Sequence, residues 1–126
     1  MFQFLNRETK KVYTLNEIDE LVCNFWGVEI HPRNYAQPKT YGPNWFDVIG
    51  KAVEDCQYFK YKSFKVTDYD DKCFDMDTIS SMVIFHLSQY EKTADAKMEQ
   101  IALLKPYIEL CYHLKSLNIV GSGHGW

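Results

Sequence analysis

Residues 14–27 read Thr-Leu-Asn-Glu-Ile-Asp-Glu-Leu-Val-Cys-Asn-Phe-Trp-Gly, and this stretch is the clearest fold signal in the chain. Thr14 and Glu17 match a capping box, in which each side chain satisfies an otherwise unpaired backbone N–H of the other residue. Apolar residues follow at helical spacing, and Gly27 stands where a left-handed residue commonly ends a helix. The pattern predicts a helix over Leu15–Trp26.

The residues before this helix predict a β-hairpin. Phe2 and Phe4 alternate with a polar residue, as in a strand with one buried face. Asn6–Thr9 has the composition of a turn, and Val12–Tyr13 begins the return strand.

Three helical stretches are predicted further along the chain. Asn44 is expected to cap the first of them, and Asp77 the next. The centre of that next helix, Met82–Phe85, is apolar nearly all round, so we expect it to be buried. The last stretch opens at Thr93, and Pro106 must either kink it or start a new helix.

Between these helices, Tyr58–Val66 alternates aromatic residues with lysines, which is typical of a half-buried edge strand. We expect it to pair with the N-terminal hairpin. The predicted fold is therefore α+β and predominantly helical, with four to five helices packed on a small antiparallel sheet. A length of 126 residues favours one domain. We expect residues 1–120 to form it and the glycine-rich residues 121–126 to be a flexible tail.

Composition excludes several classes of protein. The net charge is −3, and only two of the fourteen basic residues are arginine, so we do not expect general nucleic-acid affinity. No stretch approaches the ~20 apolar residues of a membrane span, so no membrane association is expected. The cysteines are widely spaced and no signal peptide opens the chain, which predicts a cytoplasmic protein with reduced, structural thiols. They are Cys23, Cys56, Cys73 and Cys111.

The sequence contains no recognisable catalytic or metal-binding motif. The acidic segment that begins at Asp68 has Cys73 and Ile79 where a calcium-binding EF-hand loop needs Gly and Glu. No histidine pair has helical metal-ligand spacing, and no Cys-x-x-Cys occurs. His86 is expected in the core and His113 on a solvated face. We therefore predict no catalytic residue, metal or cofactor, although an enzyme or small-molecule binder with a site assembled from distant residues stays an alternative.

The remaining hypothesis is a small, non-enzymatic accessory module that binds another protein. In general character the sequence resembles small accessory proteins carried by phages or mobile elements, and no diagnostic motif is shared with them. The loop at residues 28–43 is longer than most connections in compact domains and is rich in recognition side chains. The predicted partner-binding residues are Arg33, Tyr35, Lys39, Tyr41 and Trp126.

A second hypothesis assigns the strand at 58–65 to nucleic acid. Interleaved aromatics and lysines can stack on bases and neutralise the phosphate backbone. The residues of this alternative face are Tyr58, Lys60, Tyr61 and Lys62. The oligomeric state is not predicted by the sequence.

Overall fold

The computed structural model describes residues 2–30, 35–38, 43–59, 73–90 and 96–122. Within these ranges the chain forms four strands and four helices, the second helix being preceded by a wide turn at Phe46–Gly50. This architecture confirms the predicted helical α+β class. In chain order the elements are β1 (Gln3–Asn6), β2 (Val12–Tyr13), α1 (Leu15–Trp26), α2 (Lys51–Phe59), β3 (Cys73–Phe74), α3 (Met76–Tyr90), α4 (Ala96–Ser116) and β4 (Ile119–Ser122).

The four strands form one antiparallel sheet in the order β2-β1-β4-β3. The hairpin of β1 and β2 is as predicted, and the Asn6 side chain closes its turn by accepting from the backbone N–H groups of Glu8 and Thr9. The predicted strand at 58–66 is wrong at its start, because Tyr58 and Phe59 are the last residues of α2. Residues 60–66 lie outside the described ranges.

Strand β4 takes an inner place in the sheet, between β1 and β3. Gly121 and Ser122, which the sequence assigns to a tail, are instead buried strand residues; residues 123–126 lie outside the described ranges. A Cβ on Gly121 would lie 2.9 Å from Cγ2 of Val53 and 3.0 Å from Cδ1 of Ile79. Glycine at this position therefore lets α2 and α3 pack directly on the strand.

Helix α1 has the predicted bounds and cap. The Thr14 hydroxyl accepts from the backbone N–H of Glu17 at 3.1 Å, and the Glu17 carboxylate accepts from the N–H of Thr14 at 3.0 Å. Gly27 closes the helix in a left-handed conformation with φ of 68°. Local sequence signals alone account for this element.

The helical stretch that leads into α2 begins at Asn44 as predicted, because the Asn44 side chain accepts from the N–H of Asp47 at 2.8 Å. Its first residues, Phe46–Gly50, form a wide π-type turn before α2 begins. A Cβ on Gly50 would overlap the aromatic ring of Phe2. This glycine therefore makes room for the N-terminal strand to contact the helix.

The cap of α3 is Asp75 rather than the predicted Asp77. Thr78 donates its backbone N–H to the Asp75 carboxylate at 2.8 Å, and the helix begins at Met76. Asp77 instead forms an ion pair with Lys115 of α4 at 2.7 Å. Two aspartates two residues apart offer the same local cap signal, and the short strand β3, ending one residue before Asp75, places the helix start.

Helix α4 runs without interruption through Pro106. Proline usually breaks a helix because it lacks a backbone N–H donor. The carbonyl of Pro106 also accepts a hydrogen bond from Nε1 of Trp26 at 3.2 Å, which links α4 to α1. The predicted start at Thr93 lies outside the described ranges. The described helix pairs with α3 and also contacts α1, so it is central as its broad apolar face suggests.

The main core lies between the sheet and the helices. Its largest buried side chains include Trp45 and Tyr107, together with Phe4 of β1 and Phe74 of β3. Neighbouring residues on a strand point to opposite faces. The opposite sheet face carries a separate small cluster of Leu5, Cys73 and Val120.

Candidate functional site

The proline-containing loop at 28–43 is described at 28–30, 35–38 and Pro43. Tyr35 is half-buried and packs on Phe46, with ring centroids 4.6 Å apart, and on Trp45 at 6.4 Å. Its backbone is left-handed, with φ of 48°. Tyr35 therefore packs against the core edge. The other predicted partner-binding residues lie outside the described residues: Arg33, Lys39, Tyr41 and Trp126.

A buried carboxylate attaches this loop to the core. Asp19 on α1 is 3% exposed, and its Oδ1 accepts from the backbone N–H of Ala36 at 2.9 Å and from Nε1 of Trp45 at 2.6 Å. The Tyr107 hydroxyl donates to the carbonyl of Pro43 at the far end of the same loop. Sequence reasoning missed Asp19, although an acidic residue beside Ile18 on the apolar stripe of α1 was a usable signal.

The alternative nucleic-acid face is described only at Tyr58. This side chain is 76% exposed and sits on the last turn of α2 rather than on a strand. Lys60, Tyr61 and Lys62 lie outside the described residues. The structure therefore does not bring these four side chains together on a described surface.

The cysteines have the character of core residues. All four are buried and none forms a disulfide. Burial raises the pKa of Cys56 to about 12, assisted by the nearby carboxylates of Asp55 and Asp75. Burial likewise raises the pKa of Cys111 to about 12. A thiol with such a pKa is a poor nucleophile near neutral pH because the thiolate is scarcely populated.

Two histidines make structural contacts. His86 is partly buried, and its Nε2 lies 2.5 Å from Oδ2 of Asp55, which ties α3 to α2. His113, predicted to be solvated, is instead half-buried and stacks on Phe25 with ring centroids 4.4 Å apart. Among the residues the structure describes, no three side chains converge as metal ligands. None of the helices in that part of the chain is both long and apolar enough to cross a bilayer.

The surface feature that sequence reasoning missed lies on α3 and α4. Ile84 is 47% exposed and Phe85 is 53% exposed, although their position in an apolar run predicts burial. That prediction is wrong because the helix has only one buried side: its neighbours Met82 and Val83 face the core and these two side chains face water.

Helix α4 carries two side chains that we group with this surface. The Asp77–Lys115 ion pair joins the start of α3 to the end of α4, which pack against each other, so the two helices run antiparallel. Ile84 follows Asp77 by two turns and Ile108 precedes Lys115 by two turns, so each lies on the face of its helix that carries the ion pair. Tyr112, also exposed, lies one turn from Ile108. We name Ile84, Phe85, Ile108 and Tyr112 the α3–α4 patch.

The fold and its surface define a small helical α+β domain with a four-stranded antiparallel sheet. No family model, curated protein or solved structure matches the chain.

Proposed function

We propose that this protein is a non-enzymatic accessory module that binds another protein through the α3–α4 patch. The observation that supports the proposal is the exposure of Ile84 and Phe85, the last two residues of the apolar run Met82–Phe85. Contiguous exposed apolar side chains mark interaction surfaces when they are rimmed by polar residues. Aromatic residues are, in addition, favoured anchors in protein interfaces.

Ion pairs hold the helices that carry the patch in place. Asp77 and Lys115 tie the two helices at one end, and His86 with Asp55 ties α3 to α2. A surface held by packed helices loses little conformational entropy when a partner docks. Charges of both signs, including Glu109 of α4, surround the apolar residues and can orient a partner.

The loop at 28–43 is a second candidate surface for the same function. Arg33, Lys39 and Tyr41 keep the roles that the sequence predicts for them, with Trp126 as a further anchor. Tyr35 contributes by supporting the loop on Phe46 rather than by presenting a fully exposed ring. We place the protein in the cytoplasm, and its four buried thiols, none in a disulfide, are compatible with a reducing compartment.

The test is affinity capture of the tagged protein from its native cells, with identification of co-purifying proteins by mass spectrometry. Two patch variants, Ile84→Ser and Phe85→Ser, are compared with Tyr58→Ser. Tyr58 is the control because it is a large exposed side chain, 76% exposed, that lies outside both the patch and the 28–43 loop. Thermal unfolding of each variant shows first that the fold is intact.

The proposal predicts that both patch variants lose the same partner and that Tyr58→Ser retains it. A partner that binds the patch variants as well as the wild type would contradict the patch. If alanine at Arg33, Lys39 and Tyr41 then removed the partner, the contact surface would be the loop. The absence of any co-purifying protein would contradict the protein-binding function itself.

A further inference from the structure

Among the described residues, β2 forms one edge of the sheet and its outer side is open. Its one neighbour in the described sheet is β1. The N–H of Asn6 donates to the carbonyl of Lys11, and Leu5 pairs with Val12. In an antiparallel pair this register makes Leu5 and Val12 a non-hydrogen-bonded pair. The N–H and C=O of Val12 therefore point away from β1 and have no partner among the described residues.

A groove runs beside this edge, between β2 and α1. Its volume is about 230 Å³, and it is open to solvent. The α1 residues that line it recur at helical spacing, so they form one stripe along the helix. The lining residues are Lys11, Tyr13, Glu17, Glu20, Leu21 and Asn24.

The groove already holds one basic side chain, which belongs to the protein itself. Lys11 Nζ lies 2.6 Å from a carboxylate oxygen of Glu17 and 5.1 Å from the centre of the Tyr13 ring. The side chain of Glu20, one turn further along α1, has no ion-pair or hydrogen-bond partner in the described part of the chain. The groove therefore has one carboxylate that is not neutralised.

We propose that this groove binds an extended segment of another protein, which adds a strand beside β2 and places a lysine or arginine against Glu20. Backbone groups of the segment would pair with the N–H and C=O of Val12, the mode of recognition known as β-strand addition. The site is separate from the α3–α4 patch, so this inference does not depend on the function proposed above.

The pleat of the strand specifies where the basic residue stands. The residue of the added segment opposite Val12 carries its side chain on the sheet face away from α1, as Val12 does. The residues on either side of it point toward α1, beside Lys11 and Tyr13. A basic residue next to the one that bonds Val12 therefore reaches Glu20, while its aliphatic stem covers Leu21.

Charge favours this occupant over an acidic or neutral segment. Glu17 and Glu20 outnumber Lys11, and the whole chain carries a net charge of −3. A second copy of the chain could also pair through β2, and sedimentation distinguishes that outcome from peptide binding.

The experiment measures binding of a fluorescein-labelled peptide, Thr-Lys-Val-Lys-Val-Lys-Thr, by fluorescence anisotropy at low salt. Two control peptides replace every lysine by glutamate or carry N-methyl groups on the valines. Protein variants are Glu20→Lys and Val12→Pro, with Glu8→Lys as a control that makes the same charge change outside the groove. Proline is compatible with an edge strand when its N–H faces outward.

The proposal predicts that Glu20→Lys weakens binding at least about tenfold and Glu8→Lys much less. Loss of one backbone hydrogen bond in Val12→Pro should weaken it about fivefold. The N-methyl peptide should bind less well to the wild-type protein, a result that does not depend on how any variant folds. Amide NMR signals of Val12 and its neighbours should shift on titration.

Three results would overturn the inference. The first is no binding of the lysine peptide at millimolar concentration. The second is equal binding of the lysine and glutamate peptides, or of the N-methyl peptide. The third is a concentration-dependent dimer, seen by sedimentation and removed by Val12→Pro, which would assign the edge to a second copy.

Discussion

The carboxylate of Asp19 accepts a hydrogen bond from the indole Nε1 of Trp45 at 2.6 Å, inside the core and 26 residues away in sequence. The same oxygen accepts from the backbone N–H of Ala36. One side chain on α1 thereby positions both the described middle of the 28–43 loop and the start of the helical stretch that leads into α2. A buried carboxylate is tolerated because its hydrogen bonds replace those it loses to water.

Removal of this carboxylate should be costly. Asp19→Ala leaves the N–H groups of Ala36 and Trp45 buried without an acceptor, so we expect a loss of about 2–5 kcal/mol in the free energy of unfolding. Asp19→Asn keeps one oxygen and should cost less. Urea unfolding followed by tryptophan fluorescence measures both. A loss in Asp19→Ala below that in Asp19→Asn would contradict the acceptor role.

Gly121 should not tolerate a side chain. A Cβ there would lie 2.9 Å from Val53, so we expect Gly121→Ala to destabilise the protein by about 1–3 kcal/mol through overpacking. The double variant Gly121→Ala/Val53→Ala should lose less stability than the sum of the two single variants, because the clash is with the Val53 side chain. Additive costs in the double variant, measured by denaturant unfolding, would show that the strain comes from elsewhere.

The capping box should make stability depend on pH in the acid range. Hydrogen bonds from Lys11 and from Thr14 hold the pKa of Glu17 below its usual value of 4.5. A group with a lowered folded pKa stabilises the fold above its unfolded pKa, and the contribution is lost as pH falls through the folded pKa. The stability difference between wild type and Glu17→Gln should therefore be constant near pH 7 and shrink below pH 4.5. Parallel curves across that range would contradict the linkage.

The buried thiols should resist modification in the native protein. Because burial raises the pKa values of Cys56 and Cys111 to about 12, neither should react with an aromatic disulfide reagent at pH 8 unless the chain opens. All four cysteines should react promptly in denaturant, which is the internal control. Rapid native labelling of Cys56, identified by peptide mapping, would show that the thiol is more accessible than its burial implies.

Local signals predicted α1 and the hairpin well and the sheet poorly. The Thr14–Glu17 box and Gly27 act over a few residues, so they are legible without knowledge of the fold. Strand β4 carries no such signal: Gly121 is a weak strand former and is there because two helices approach it. At the start of α3, the choice between Asp75 and Asp77 likewise depended on where the preceding strand ended.

The candidate surfaces divide in the same way. The loop at 28–43 was predicted as a binding segment from its length and its recognition side chains, and Tyr35 proved to be packed on the core edge. Exposure of Phe85 could not be predicted, because an all-apolar run has no periodicity that tells which side faces water. The groove beside β2 is lined by residues of one stretch, 11–24, but the strand order decides that β2 lies at the edge of the described sheet.

The sequence by itself determined the helical α+β class, the caps and bounds of α1 and the hairpin that starts the sheet, because these depend on contacts between near neighbours. Only the tertiary structure decided that the C-terminal strand lies against β1, with Phe4 opposite Gly121. It also decided that Asp19 would be buried and Phe85 exposed. Burial is a property of what packs against a residue, and for these residues the neighbours come from distant parts of the chain.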